Sequence, residues 1–79
     1  MTIEILFFGA TADAAATRHT EVELVNSSTA GGLIERLIQK YPKLSDHRLL
    51  FAVNEEYAGP DTIVSHGDQF ALFTPVSGG

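Results

Sequence analysis

The chain has 79 residues, which is one domain with a small core, because a chain of this size hides only about 60% of the surface it exposes when unfolded. Five Lys and Arg stand against ten Asp and Glu, a net charge of −5, which repels phosphate backbones and excludes nucleic acid as a partner. There is no cysteine, which excludes disulfides and any thiolate nucleophile or metal ligand.

Residues 3–8 are apolar except for Glu4, the pattern of a strand covered on both faces and central in its sheet. Residues 9–17 are small, Ala-rich and weakly patterned; they read as a turn or loop, although alanines suit a short helix as well. Residues 19–25 alternate, with Val22 and Leu24 on one face and Glu21 and Glu23 on the other, as in a half-exposed strand that pairs with the first. Asn26 to Thr29 form a polar stop rich in N-cap residues. Leu33, Ile34, Leu37, Ile38 and Tyr41 then recur at helical spacing, with Glu35, Arg36, Gln39 and Lys40 opposite. Pro42 ends that helix near Tyr41. Gly31 and Gly32 weaken its first turn by about 1 kcal/mol each relative to alanine, so its apolar face has to hold it to the sheet. The residue three after Thr29 is Gly32, so no capping box forms.

Residues 49–53 read as a third strand, followed by a polar turn at Asn54, Glu55 and Glu56. Residues 57–64 read as a short strand or irregular segment, His66-Gly67-Asp68 as a turn, and residues 69–74 as the last strand. This order predicts an α+β domain: a mixed sheet with one helix packed across it. It is expected to span residues 1–74, followed by a tail of residues 75–79.

That tail, Pro75-Val76-Ser77-Gly78-Gly79, is the most informative stretch. Pro75 keeps its start extended and out of a sheet interior. Glycine fits where a backbone passes close to another surface. Five extended residues reach roughly 16 Å, far enough to enter a partner's active site while the domain stays outside. The α-carboxylate of Gly79 is expected to be free. The plainer reading is a frayed polar end, but here the glycine pair follows a hydrophobic strand with no charged coda.

Elsewhere the residue types for chemistry are poorly arranged. His19, His47 and His66 lie in separate turns or strand edges without metal-ligand spacing, so no metal is expected. The serines lack a nucleophile context, and Glu55 and Glu56 are adjacent loop charges. Gly31 and Gly32 have neither the spacing nor the lysine of a phosphate loop. The apolar runs are far short of a membrane span. The start, Met1-Thr2-Ile3-Glu4, lacks the basic residues of a signal peptide. A soluble cytoplasmic protein is expected, which lends a group to another protein's chemistry. Its negative charge suits either a partner with a basic face or simple solubility.

Three stretches resemble the small subunits of molybdopterin synthase, sulfur-carrier proteins of the ubiquitin-like β-grasp fold. They are Ile5-Leu6-Phe7-Phe8-Gly9, Leu49-Leu50-Phe51-Ala52-Val53-Asn54, and the run from His66-Gly67-Asp68 through Thr74-Pro75-Val76-Ser77-Gly78-Gly79. The last is the most specific. The resemblance implies that an E1-like adenylyltransferase uses ATP to adenylate the carboxylate of Gly79. A sulfur donor protein then converts it to a thiocarboxylate. The tail of Pro75, Val76, Ser77 and Gly78 enters the large subunit of the synthase, a heterotetramer, where the sulfur passes to a pyranopterin in molybdenum cofactor biosynthesis. The carrier itself binds no cofactor. The resemblance also implies a hydrophobic docking patch on the sheet, falling on Phe8, Tyr57 and Phe73, with Phe8 and Phe73 close together beside the tail's exit. The plainer reading makes both phenylalanines core residues. Tyr57 stands where an aliphatic residue is expected, Thr74 where a second proline is frequent, and residues 10–17 carry no assigned role. Other readings are another carrier of this fold, such as the thiamin thiazole type, a ubiquitin-like protein modifier, or an interaction module with an inert tail.

Overall fold

The computed structural model describes residues 1–75; the expectations for Val76, Ser77, Gly78 and Gly79 lie outside the described residues. Along the chain run β1 (Thr2–Phe7), α1 (Ala10–Ala15), β2 (His19–Glu23), β3 (Ser28–Thr29) and α2 (Ala30–Lys40). A 3-10 helix (Pro42–Asp46), β4 (Leu50–Val53), β5 (Glu56–Tyr57), β6 (Ile63–Val64) and β7 (Gln69–Phe73) follow. Five strands form a mixed sheet in the order β2-β1-β7-β4-β5. Its two longest-range neighbours, β1 and β7, are parallel and the other pairs antiparallel. The fold class is the α+β architecture expected, with α2 packed across the sheet.

The alternation along the strands decides where the core lies. Ile3, Ile5 and Phe7 of β1, Val22 of β2, and Phe70 and Leu72 of β7 are buried on one face, where they meet Leu33 and Leu37 of α2 and Leu44 of the 3-10 helix. The expectation that β1 is covered on both faces is corrected here. Glu4 and Leu6 are only half-buried, because helices cover one face of the sheet and no described element covers the other. β1 reads as apolar because the inner Ile3-Ile5-Phe7 row alternates with an outer row that is itself partly apolar, Leu6 and Phe8. β2 stops at Glu23, and Val25, expected within it, is 95% exposed.

Thr29 caps α2 as expected: its hydroxyl accepts from the Gly32 amide at 3.1 Å. The two glycines of that first turn have a packing reason. A Cβ at Gly31 would lie 3.3 Å from both Cβ and the carbonyl oxygen of Pro60, and one at Gly32 only 2.7 Å from Ser28 Oγ. The bare turn therefore lets β3 and the segment after β5 close over the helix start, where the Gly31 amide donates to the Pro60 carbonyl at 2.9 Å. Residues 57–64 prove to be an irregular segment, 58–62, between the end of β5 and the two residues of β6. β6 pairs with β3 in a separate two-stranded sheet.

The β4–β5 hairpin turns through Asn54 (φ 51°) and Glu55 (φ 69°), the left-handed pair that a two-residue loop requires. Asparagine tolerates this region; glutamate is strained there by roughly 1–2 kcal/mol. Allowing for the greater chain entropy of glycine, Glu55→Gly is expected to stabilise the domain by about 0.5–1 kcal/mol. A thermal melt should show a rise of a few degrees; an unchanged or lower midpoint contradicts this account of the turn. Asn54 also ties the hairpin to β7. Its side chain accepts from the Gln69 amide at 3.0 Å and donates to Asp68 at 3.0 Å. The Ser65 amide donates to the other Asp68 carboxylate oxygen at 2.7 Å. These two bonds, the Ser65 one foremost, hold the Asp68 carboxyl below its usual range.

Candidate functional site

The parallel pairing of β1 with β7 builds the candidate site. The register sets Phe7 opposite Leu72, so the residues that follow, Phe8 and Phe73, leave their strands side by side at one end of the sheet. The Phe8 amide continues the ladder, donating to the Leu72 carbonyl at 3.0 Å. Side chains alternate across a strand. With Phe7 and Leu72 in the core, Phe8 and Phe73 therefore fall on the open face. Phe8 is 52% exposed and Tyr57 82%, while Phe73 is half-buried. The reading of Phe8 as a core residue is set aside: the buried phenylalanine of that pair is Phe7, at 2% exposure.

Tyr57 reaches the same place from the opposite edge. It pairs with Ala52, Ala52 pairs with Ala71, and Leu50 pairs with Phe73, so all share the open face. The next side chains in this row, at Ala52 and Ala71, are small. The tyrosine ring meets Phe73 edge-on, with ring centroids 5.6 Å apart and planes at 64°, a favourable aromatic geometry. Phe8, Gly9, Phe73, Thr74 and Pro75 line a shallow cavity of ≈ 270 Å³, at the point where the chain leaves β7 toward the tail. The structure thus brings Phe8, Tyr57 and Phe73 together at the root of the tail.

Leu6 and Leu50 belong to the same surface and were not singled out from the sequence. Leu6 lies between Phe8 and Glu4 on the outer row of β1, and Leu50 faces Phe73 across the β4–β7 pair. Strict alternation starting from Phe7 would have found Leu6. Leu50 sits beside Leu49 in a continuous apolar run, and only the register assigns it to a face.

Away from the tail the open face changes character. Glu4 lies directly opposite Glu21, and Thr2 opposite Glu23. Glu4 is partly satisfied by Gln69, whose side-chain amide donates to it at 3.0 Å, and His19 Nε2 stands 3.9 Å from its other oxygen. A like-charge pair placed face to face costs stability. The open face is therefore apolar where the tail leaves and acidic at the far end.

Among the described residues, no three His, Asp or Glu side chains lie close enough together to hold a metal ion. His66 has a structural partner, its Nδ1 accepting from the Thr2 amide at 3.0 Å. No described helix is long and apolar enough to cross a membrane.

Comparison with known proteins gives this geometry a context. The ThiS family pattern matches residues 5–79, so the match runs from β1 through the terminal glycines. The molybdopterin synthase sulfur carrier subunit of Mycobacterium tuberculosis is 40% identical over 80 residues, covering 98% of this chain and 96% of that protein. Among solved structures, the small archaeal modifier protein 1 of Haloferax volcanii superposes with a TM-score of 0.85 at 26% identity, covering 95% of this chain and 98% of that one. A complex of subunits 1 and 2 of the molybdopterin-converting factor from Helicobacter pylori contains a chain of the same fold. It has a TM-score of 0.69 at 21% identity, with both chains fully covered. The chain belongs to the ThiS family and has its β-grasp, ubiquitin-like fold.

Proposed function

We propose that this chain is the sulfur carrier subunit of a molybdopterin synthase and serves molybdenum cofactor biosynthesis. The observation that carries this reading is the similarity to a subunit of that name along 98% of the chain, together with a family match that runs to residue 79. The geometry supports it, because the exposed aromatics cluster where the tail departs rather than elsewhere on the surface.

On this reading the reactive group is the carboxylate of Gly79. A carboxylate is a poor electrophile, so an E1-like partner first joins it to AMP: a carboxylate oxygen attacks the α-phosphorus of ATP and pyrophosphate leaves. The outer sulfur of a persulfide on a donor protein then attacks the acyl carbon and AMP departs, giving an acyl disulfide. A thiol attacks the donor's inner sulfur, which breaks the S–S bond, leaves a disulfide on the donor and frees the thiocarboxylate. Its sulfur is a better nucleophile than the oxygen it replaces. The charged carrier docks on the large subunit, threads Pro75, Val76, Ser77 and Gly78 into that subunit's active site, and gives the sulfur to the pyranopterin precursor. Catalysis rests on positioning and on exclusion of water by the partner. The absence of side chains at Gly78 and Gly79 suits a narrow channel. The carrier binds no cofactor itself. Two carriers with two large subunits, in the cytoplasm, complete the proposal.

Phe8, Tyr57 and Phe73 form the docking patch, since clustered aromatics are the usual anchors of such interfaces. The acidic far end of the same face favours a partner with basic residues there. Tyr57→Ala is expected to weaken binding to the large subunit about ten-fold, measured by calorimetry. The ring is 82% exposed, so the melting temperature should hardly move. Wild-type affinity in that variant removes Tyr57 from the patch.

The similarity to a small archaeal modifier favours a second reading, in which Gly79 is joined to lysines of other proteins. Mixing thiocarboxylated chain with the large subunit and a pyranopterin precursor separates the two. Return of the chain to its carboxylate mass together with dithiolene formation supports the carrier. Higher-mass conjugates without dithiolene support the modifier.

A further inference from the structure

Residues 10–17 carry no part of the function derived so far, yet they hold the one buried polar side chain among the described residues. Thr11 is 0% exposed. Its hydroxyl accepts from the Phe8 amide at 2.9 Å and lies 2.7 Å from the Phe8 carbonyl and 3.0 Å from the Leu72 carbonyl, so its single proton has two acceptors in reach. The hydroxyl thus sits between the backbone of the docking residue Phe8 and that of Leu72, the last core residue before Phe73 and the tail.

The turn from β1 into α1 puts it there. Gly9 has φ 57° and ψ −128°, the first central position of a type II′ turn, which is closed by the Thr11 amide donating to the Phe8 carbonyl at 3.2 Å. A Cβ at Gly9 would meet nothing within 4 Å; glycine is needed for the dihedral angles and not for room. This turn folds α1 back under the ends of β1 and β7.

The hydroxyl is not required to satisfy its neighbours. The Phe8 amide already donates to Leu72, and the Phe8 carbonyl already accepts from the Thr11 amide. A valine of the same shape would fill the site without burying a hydroxyl. What the hydroxyl adds is a cross-brace between the two strand ends. We propose that Thr11 is a positioning residue for sulfur transfer: it fixes where the tail starts relative to Phe8, so that docking and tail placement form one rigid unit. The inference rests on the sulfur-carrier reading above. The reacting carbon lies at the end of a five-residue lever, Pro75 to Gly79, and small errors of placement at a reacting centre are costly.

The test uses Thr11→Val, which removes the hydroxyl and keeps the shape, Thr11→Ser, which keeps the hydroxyl, and Gly9→Ala, which strains the turn. In Thr11→Val the sulfur-transfer rate at saturating large subunit is expected to fall about ten-fold while the affinity stays within about two-fold, and Thr11→Ser restores the rate. Residual dipolar couplings of the Phe73 and Thr74 amides, referred to β1, should shift in the valine variant and recover in the serine one. If Thr11→Val folds poorly, Gly9→Ala is expected to show the same split between rate and affinity. A wild-type rate in a folded Val or Ala variant, a loss confined to affinity, or a rate that serine does not restore each overturns the proposal. Unchanged couplings overturn it even if sulfur never moves. A wild-type chain that accepts no sulfur defeats the carrier reading instead.

Discussion

Deletion of Gly79 is expected to abolish sulfur uptake while leaving the domain folded. Among the described residues the core ends at Leu72 and the last strand at Phe73, so the fold that these residues build is expected to stand without Gly79. The reactive carboxylate, however, moves back by one residue, about 3.5 Å along an extended chain. Misplacement by 1 Å already costs about 10²-fold in a positioned reaction, so no thiocarboxylate should be detectable in the time that charges the wild type completely. Gly79→Ala keeps the length and should retain part of the rate, limited by the added methyl group. Mass spectrometry after incubation with the activating enzyme reads both variants. Normal charging of the shortened chain would place the chemistry somewhere other than the terminal carboxylate.

Phe70→Ala is expected to have the largest effect on stability. Phe70 is 0% exposed, lies on the central strand opposite Ile5 on one side and Val53 on the other, and stacks on Phe51 with ring centroids 5.5 Å apart. Truncating a buried phenylalanine typically costs about 3–5 kcal/mol. A domain of this length has only about 4–12 kcal/mol to lose. The melting temperature should therefore fall by about 15 °C or more, and the variant is expected to be largely unfolded near physiological temperature. A fall of only a few degrees would mean that the core around β7 collapses onto the gap.

The inner face of this fold was legible because burial imposes a period. Alternation in β2, helical spacing from Leu33 to Tyr41, and Thr29 as a cap all appear in the structure where the sequence pattern points. The open face was less legible, because whether β1 is covered on both sides depends on what the rest of the chain supplies. The single layer of helices covers only one. The short helix α1 gave no pattern of its own. Six residues with Thr11 and Ala15 buried are too few to show a period. β3 and β6 are two residues each and exist only because they pair with one another. At the site, the meeting of Phe8 with Phe73 follows from the β1–β7 pairing that the family resemblance implies. Tyr57 joins them through two alanines, Ala52 and Ala71, whose significance emerges only in the register. The tail's expected chemistry was read from residue type alone, and Val76 to Gly79 lie outside the described residues.

The central claim is that Gly79 carries sulfur. The most direct measurement is the intact mass of the full chain after incubation with an E1-like activating enzyme, ATP and a sulfur donor. The account predicts a gain equal to replacing one oxygen atom by sulfur, dependent on ATP and absent when Gly79 is deleted. An unchanged mass, with an enzyme preparation that charges another carrier of this family, would contradict it.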